Sequence, residues 1–161
     1  MSQRAEALAR RIEEGAAGLA AFVEGLSETE WRTPVTPTDP RPVGVIVHHV
    51  ASVYPLEIEA ARIISTGQAI VDVTRDSIRH MNAEHAAEQS EVTKEAALEL
   101  LRRNSREAAE AVRKFSDAQL DQAAPFSLSF GAPVTAQFVI EDHALRHSWH
   151  HLDGIRRALK R

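Results

Sequence analysis

The segment from Ile140 to Ile155 constrains the fold most, because it contains four of the chain's eight histidines. It has no proline and a single glycine, so we expect it to be an α-helix. Each residue of an α-helix advances by about 100°, so His143, His147 and His151 lie one above another on one face. The other residues on this face are small or apolar, as on a helix that packs against a core. The sequence therefore predicts imidazole rings that point into the protein.

A metal ion is an economical partner for inward imidazoles, since a buried ring without a partner is costly. His147 and His151 are four residues apart, which places their Cβ atoms about 5–6 Å apart, and both rings can then reach one ion at roughly 2.0–2.1 Å. His49 is the third candidate, because it shares the apolar face of the helix predicted around it, whereas His48 points away and is expected to be solvated. A lone inward histidine is more often a hydrogen-bonded core residue. The inward pair together with His49 favours a metal site.

Composition narrows the class of protein. A chain of 161 residues fits one domain, residues 1–161, and the formal net charge of −4 gives no general attraction for nucleic acid or an anionic membrane. There is no cysteine, which excludes disulfides, thiolate zinc sites and a cysteine nucleophile and agrees with a cytoplasmic protein. The apolar run near the N-terminus is too short for a signal peptide or a membrane span.

Helical periodicity and capping signals indicate an all-α fold without an internal repeat. Pro55 is expected to kink the second long helix, and the four prolines between Thr33 and Pro42 predict an irregular loop. The natural packing is an antiparallel four-helix bundle with the metal held between facing helices. The predicted helices are 3–26, a short turn at Trp31 after the Ser27–Glu30 capping box, 42–65, 74–89, 94–115, a short piece after Ser116, and a last helix from Thr135.

Four motifs follow one another in an order that resembles the DinB/YfiT-like family over nearly the whole chain. They are Val47-His-His49-Val-Ala, Met81-Asn-Ala-Glu84, the 100–120 region that ends Phe115-Ser-Asp-Ala-Gln-Leu120, and His147-Ser-Trp-His-His151-Leu-Asp-Gly-Ile155. The resemblance implies a four-helix bundle with up-down-down-up topology, a homodimer, and a divalent metal on His49, His147 and His151. In the family a glutamine often follows the last ligand by three residues, and here that position is Gly154.

Three neutral imidazoles leave at least one coordination position open, as in catalytic sites. On Zn²⁺ such a position lowers the pKa of bound water to about 7 or binds a thiol as thiolate. The family implies both chemistries, so we predict a divalent-metal enzyme that uses a low-molecular-weight thiol such as bacillithiol or mycothiol, as an S-transferase or isomerase. The alternatives are a metal-dependent hydrolase of a small molecule and a non-catalytic bundle that sequesters a ligand. Zn²⁺ and Ni²⁺ are the expected ions, and Fe²⁺ also suits imidazole ligands.

No general acid or base can be named from the sequence. Ala144 and Ser148 stand where the glutamate of a zincin peptidase would be, which argues against that class. Candidates for the wall of the pocket share a polar character and a place near the predicted ligands: Ser52, Asn82, His85 and His143.

A second apolar face on two helices predicts a homodimer, with cover by the proline-rich loop and the Phe126–Phe130 loop as the alternative. A helix at the surface of a bundle normally has one apolar face, so a second one suggests burial against another chain. On the last helix this face comprises Phe138, Leu145, Trp149 and Leu152, and on the second long helix Val47, Tyr54 and Ile58.

Overall fold

The computed structural model describes residues 1–161 and confirms the predicted bundle of four long helices. The elements in chain order are α1 (Gln3–Glu24), α2 (Glu28–Trp31), α3 (Val43–Ser65), α4 (Arg75–Glu88), α5 (Lys94–Val112), α6 (Asp117–Asp121), β1 (Ala123–Pro125), β2 (Pro133–Thr135), α7 (Ala136–Val139) and α8 (Arg146–Leu159). A π-helical turn, Ile140–Leu145, joins α7 to α8, and these three segments form one continuous last helix. The long helices are α1, α3, α5 and this last helix.

Contacts between helix ends give the direction of each helix. Arg113, just after α5, donates to Glu6 in the first turns of α1 at 2.9 Å, so α1 and α5 are antiparallel. Arg4 at the start of α1 donates to Gln137 at the start of the last helix, so these two helices are parallel. The helix α4 and its flanking loops lead the chain from the end of α3 back to the end of the bundle where α3 begins. The helices α3 and α5 are therefore parallel. The bundle therefore has the up-down-down-up topology that the sequence predicted.

Trp31 holds the starts of α3 and α5 together. It ends the short helix α2, which the predicted capping box between Ser27 and Glu30 begins. Its indole N–H donates to the Val92 carbonyl at 3.0 Å, just before α5. The ring also lies so close to Gly44 that an added Cβ would come within 2.4 Å of it. Glycine at this position is what allows the ring to seat against α3.

Pro55 lies inside α3 without ending the helix. Proline has no backbone N–H, so the carbonyl of Ala51 loses its usual partner four residues along. The side chain of Asn104 on α5, which is buried, donates to that carbonyl at 2.9 Å. The neighbouring helix thus satisfies the group that the proline leaves free.

A homodimer was predicted from a second apolar face on two helices, and the structure shows that the face on α3 is covered within the single chain. Val47, Tyr54 and Ile58 are 0%, 1% and 4% exposed within the single chain, because α5 and the last helix cover α3 on opposite sides. The expectation that this face of α3 needs another chain is therefore wrong. On the last helix, Leu152 is 3% exposed and Leu145 is half-buried within the single chain, whereas Phe138 and Trp149 remain 43% and 49% exposed. The homodimer stays a prediction that now depends on the last helix alone.

The remaining differences between the predicted and the observed elements concern their ends and one pair of strands. The helix predicted over 3–26 ends at Glu24, where Gly25 caps it, and the one predicted to reach Phe115 ends at Val112. Before the last helix, β1 and β2 form a short antiparallel pair for which no strand was predicted. None of the helices combines the length and apolar character that a membrane span requires.

Candidate metal centre

The structure brings the three predicted ligands together. His49 lies in the second turn of α3, and His147 and His151 lie one turn apart on α8. One nitrogen of each ring can be chosen so that all three atoms lie within 4.8 Å of one another. The Nε2 atoms of His49 and His147 are 3.2 Å apart. The rings thus meet from two helices at one point, as the spacing of the histidines predicted.

The spacing of the His49 and His147 ligand atoms fits a divalent ion. Two imidazole nitrogens bound to one Zn²⁺ at about 2.0–2.1 Å in tetrahedral geometry lie roughly 3.3 Å apart. The observed separation of 3.2 Å between His49 and His147 matches that value. Burial, aided by the neighbouring His147, lowers the pKa of His49 to about 3 and that of His151 to about 2. Both rings are therefore neutral at physiological pH and keep the lone pair that a metal needs.

Glu57 is a candidate residue of the centre that the sequence did not single out. Its Oε1 accepts the Nδ1–H of His147 at 2.8 Å, and the two side chains are only 11% and 18% exposed respectively. This contact fixes the proton on Nδ1, so the Nε2 lone pair faces the other two rings. The signal available in the sequence was a carboxylate eight residues after His49, about two turns along the same helix.

His48 and His85 form a second pair beside the triad. The Nδ1 of His48 lies 2.8 Å from the Nε2 of His85, and the ring of His85 packs edge-on against His49 with centroids 5.7 Å apart. The prediction that His48 is solvated is therefore wrong: it is half-buried, and burial lowers its pKa. His85 lies where it was expected, on the α4 side of the centre.

The other three pocket candidates, Asn82, Ser52 and His143, have different surroundings in the structure. The Oδ1 of Asn82, one turn before His85 on α4, is buried without a partner. Ser52 donates to the carbonyl of His49 at 2.9 Å, so its hydroxyl serves its own helix. His143 lies in the π-helical turn and packs edge-on against Phe126, with centroids 5.7 Å apart. It is not one of the three residues whose ligand atoms come together.

The proline-rich loop closes the side of the centre at the start of α3. The backbone N–H of Val35 donates to the Arg41 carbonyl at 3.1 Å, and that of Thr36 donates to the Asp39 carbonyl at 3.0 Å. Val35 also packs over the last helix, where a Cβ on Gly154 would be 3.8 Å away. The loop thus spans the helix that carries His49 and the helix that carries His151.

The comparisons with known proteins agree with this architecture. Residues 11–155 match the model of the DinB superfamily. A solved structure, YfiT from Bacillus subtilis, is described as a probable metal-dependent hydrolase with an unusual four-helix bundle topology. It matches with a TM-score of 0.77 and 17% sequence identity, covering 99% of this chain and 89% of that chain. No curated protein matches the chain. At this identity the likeness to YfiT establishes the fold alone.

Proposed function

Because the chain belongs to the DinB superfamily, we propose that it is a metal-dependent hydrolase that acts on a small molecule. In this proposal His49, His147 and His151 hold a divalent ion. The observation that carries it is the meeting of three imidazoles, borne by two helices, with ligand atoms within 4.8 Å of one another. The description of YfiT as a probable metal-dependent hydrolase supports the same class of reaction.

The residues around the triad would divide the work of hydrolysis. A divalent ion on three imidazoles keeps a coordination position open, and Zn²⁺ in such a site lowers the pKa of water to about 7. Glu57 holds His147 in the tautomer that turns its Nε2 lone pair toward the centre. The second oxygen of Glu57, Oε2, is buried and has no partner. In this proposal it is a hydrogen-bond acceptor that a bound molecule can use.

Zn²⁺ or Ni²⁺ is the ion we propose, with Fe²⁺ as the third option. All three accept neutral imidazole, whereas Mg²⁺ and Ca²⁺ prefer oxygen ligands. The nearest carboxylate, Glu57, is hydrogen-bonded to His147 and does not belong to the triad. The donor set is therefore nitrogen only, which favours the borderline ions over the hard ones.

A thiol-dependent transferase or isomerase is the second candidate. The open position that could activate water could equally activate a thiol as thiolate. Since the chain has no cysteine, the thiol would have to arrive as a cosubstrate of the bacillithiol or mycothiol type. Incubating the metal-loaded protein with bacillithiol, mycothiol or glutathione and a chromogenic electrophile tests this candidate. Thiol consumption with no ester hydrolysis would favour it over the hydrolase.

Elemental analysis of untagged protein tests the metal centre. We expect one equivalent of metal in the wild type and loss of that metal in His147→Ala. His80→Ala is the matched control, because His80 is an exposed histidine on α4 outside the triad. A panel of p-nitrophenyl esters then tests hydrolysis, which should disappear together with the metal. Full metal content in His147→Ala would show that the ligand set is wrong.

The assembly and the location of the protein stay predictions. We propose a homodimer formed through the exposed side of the last helix, where Phe138 and Trp149 lie, in a cytoplasmic protein. Size-exclusion chromatography with light scattering measures the oligomeric state, and a monomer at micromolar concentration would contradict the homodimer. Fractionation of the producing cells measures the location of the protein.

A further inference from the structure

Arg41 is a buried cation with one unused nitrogen. Its Nε and Nη2 donate to the two carboxylate oxygens of Asp39 at 2.8 and 2.7 Å. The side chain is only 18% exposed, and its third nitrogen, Nη1, is buried without a partner. A guanidinium presents its donors in a rigid fork, and a buried donor left unpaired is unfavourable. Asp39 thus fixes the orientation of the fork and leaves Nη1 free.

The loop that carries Arg41 borders the candidate centre. Arg41 lies two residues before the start of α3, the helix that carries His49. Its backbone carbonyl accepts the N–H of Val35 at 3.1 Å, and Val35 lies 3.8 Å from where a Cβ on Gly154 would be, three residues after His151. Arg41 therefore lies at the end of the site where the helices that carry His49 and His151 meet the loop.

The unpartnered polar atoms of the chain gather around this same centre. Four buried side-chain atoms lack a hydrogen-bond partner: Arg41 Nη1, Glu57 Oε2, Asn82 Oδ1 and His85 Nδ1. Folded proteins pair nearly all of their buried polar groups, so several exceptions in one place need an explanation. Groups that the fold positions but does not pair are typical of a binding site, where the ligand supplies the missing partners.

We propose that the centre binds a small molecule that bears a carboxylate group, and that Arg41 holds this carboxylate through Nη1. The proposal rests on the metal-dependent function proposed above and adds the class of substrate. Because Asp39 already offsets most of the guanidinium's charge, the site suits a monoanion better than a phosphate dianion, and Nη1 can give its N–H groups to one carboxylate. The carbonyl oxygen of Asn82 remains available for a hydroxyl or amino group of the same molecule.

Binding of benzoate and benzamide to the metal-free wild type tests the proposal directly. The two molecules have nearly the same shape, and removing the metal excludes coordination of the carboxylate by the ion. The titration is carried out at slightly alkaline pH. We expect NMR titration to give about tenfold tighter binding of benzoate than of benzamide, with acetate and acetamide as a smaller pair. Equal affinity within both pairs, or no binding of either carboxylate, would overturn the proposal.

Variants then assign the effect to one side chain. Arg41→Met should lose the preference for the carboxylate, while Arg32→Met, which removes a 53% exposed arginine, should keep it. An unchanged preference in folded Arg41→Met overturns the proposal. If circular dichroism shows that this variant does not fold, Arg41→Lys decides the matter. It keeps the charge but not the fork, and undiminished benzoate binding in it would equally overturn the proposal.

Metal analysis of the same preparations separates the two proposals. A wild type without metal that still prefers benzoate in an Arg41-dependent manner would refute the metal-dependent hydrolase and support the carboxylate site. A wild type with one equivalent of metal, together with a preference for benzoate that survives in Arg41→Met, would support the metal-dependent hydrolase and overturn the carboxylate site.

Discussion

Replacing Glu57 by glutamine probes the contact that orients the metal ligand His147. The side chains are nearly isosteric, so the variant keeps the shape of the site and an amide oxygen that can still accept the Nδ1–H. What it loses is the negative charge of an acceptor 2.8 Å from Nδ1, in a place where the carboxylate is 11% exposed. Hydrogen bonds to charged groups contribute about 1.5–3 kcal/mol when buried. Loss of such second ligand-shell partners typically weakens metal binding by about 10- to 100-fold.

We therefore expect Glu57→Gln to bind Zn²⁺ about 10- to 100-fold more weakly than the wild type, a change of about 1.4–2.7 kcal/mol. Competition with a chromophoric chelator at constant pH measures the affinity, and circular dichroism checks the fold. Glu59→Gln is the matched control, since it removes the same charge two residues along α3 from a side chain that is 53% exposed and paired with Arg62. Its affinity for Zn²⁺ should be unchanged.

Two results would refute this reasoning. Wild-type affinity in folded Glu57→Gln would mean that the carboxylate does not support the ligand. An equal loss in Glu57→Gln and Glu59→Gln would mean that only the net charge of the helix matters, and not the hydrogen bond to His147.

Three other substitutions or conditions give measurable outcomes. Asn104→Ala leaves the carbonyl freed by the proline of α3 without a partner, and we expect the free energy of unfolding in urea to fall by about 1–3 kcal/mol. Gly44→Ala would place a methyl group within 2.4 Å of Trp31, and we expect a loss of about 1–3 kcal/mol in the same assay; wild-type stability would show that the ring can move away freely. In the metal-free protein the pKa of His49 is about 3 and that of His151 about 2, whereas the pKa of a histidine in the unfolded chain is about 6.5. As the pH falls below 6.5, the unfolded chain therefore binds more protons than the folded protein does. We expect the free energy of unfolding to be highest above about pH 6.5. Below that pH it should fall by up to about 1.4 kcal/mol per pH unit for each ring, until the pKa of the folded protein is reached. A constant free energy of unfolding from pH 7 to 5 would contradict this.

Short-range chemistry made much of the fold predictable. The Ser27–Glu30 capping box, the N-cap at Thr135 and the first-turn position of Pro42 depend on residues within one turn of each other, and the structure has helix starts at or next to each. The His147/His151 pair is equally local, because four residues of one helix bring both rings to one face. For His49, the apolar residues around it identified the inward face of its own helix.

The partners across the bundle could not be predicted in the same way. Glu57 meets His147 because of how far α3 and α8 slide past each other, and a shift of one residue, about 1.5 Å, would move the carboxylate away from the ring. Arg41 lies near the triad because the proline-rich loop folds back over the last helix at Gly154. The π-helical turn Ile140–Leu145 has no residue pattern of its own in the sequence. Each of these features depends on contacts between segments distant in the chain.

The sequence by itself determined that the chain is mainly helical and that three imidazoles are carried on inward faces of two helices. Periodicity contains that information because it records how each helix is oriented toward the core. Only the tertiary structure decided which groups the imidazoles meet: a carboxylate on His147, a second histidine pair beside His49, and a guanidinium at the loop. The reason is that the relative slide, rotation and crossing of two helices are set by the packing of many side chains at once, and no single segment of the sequence encodes them.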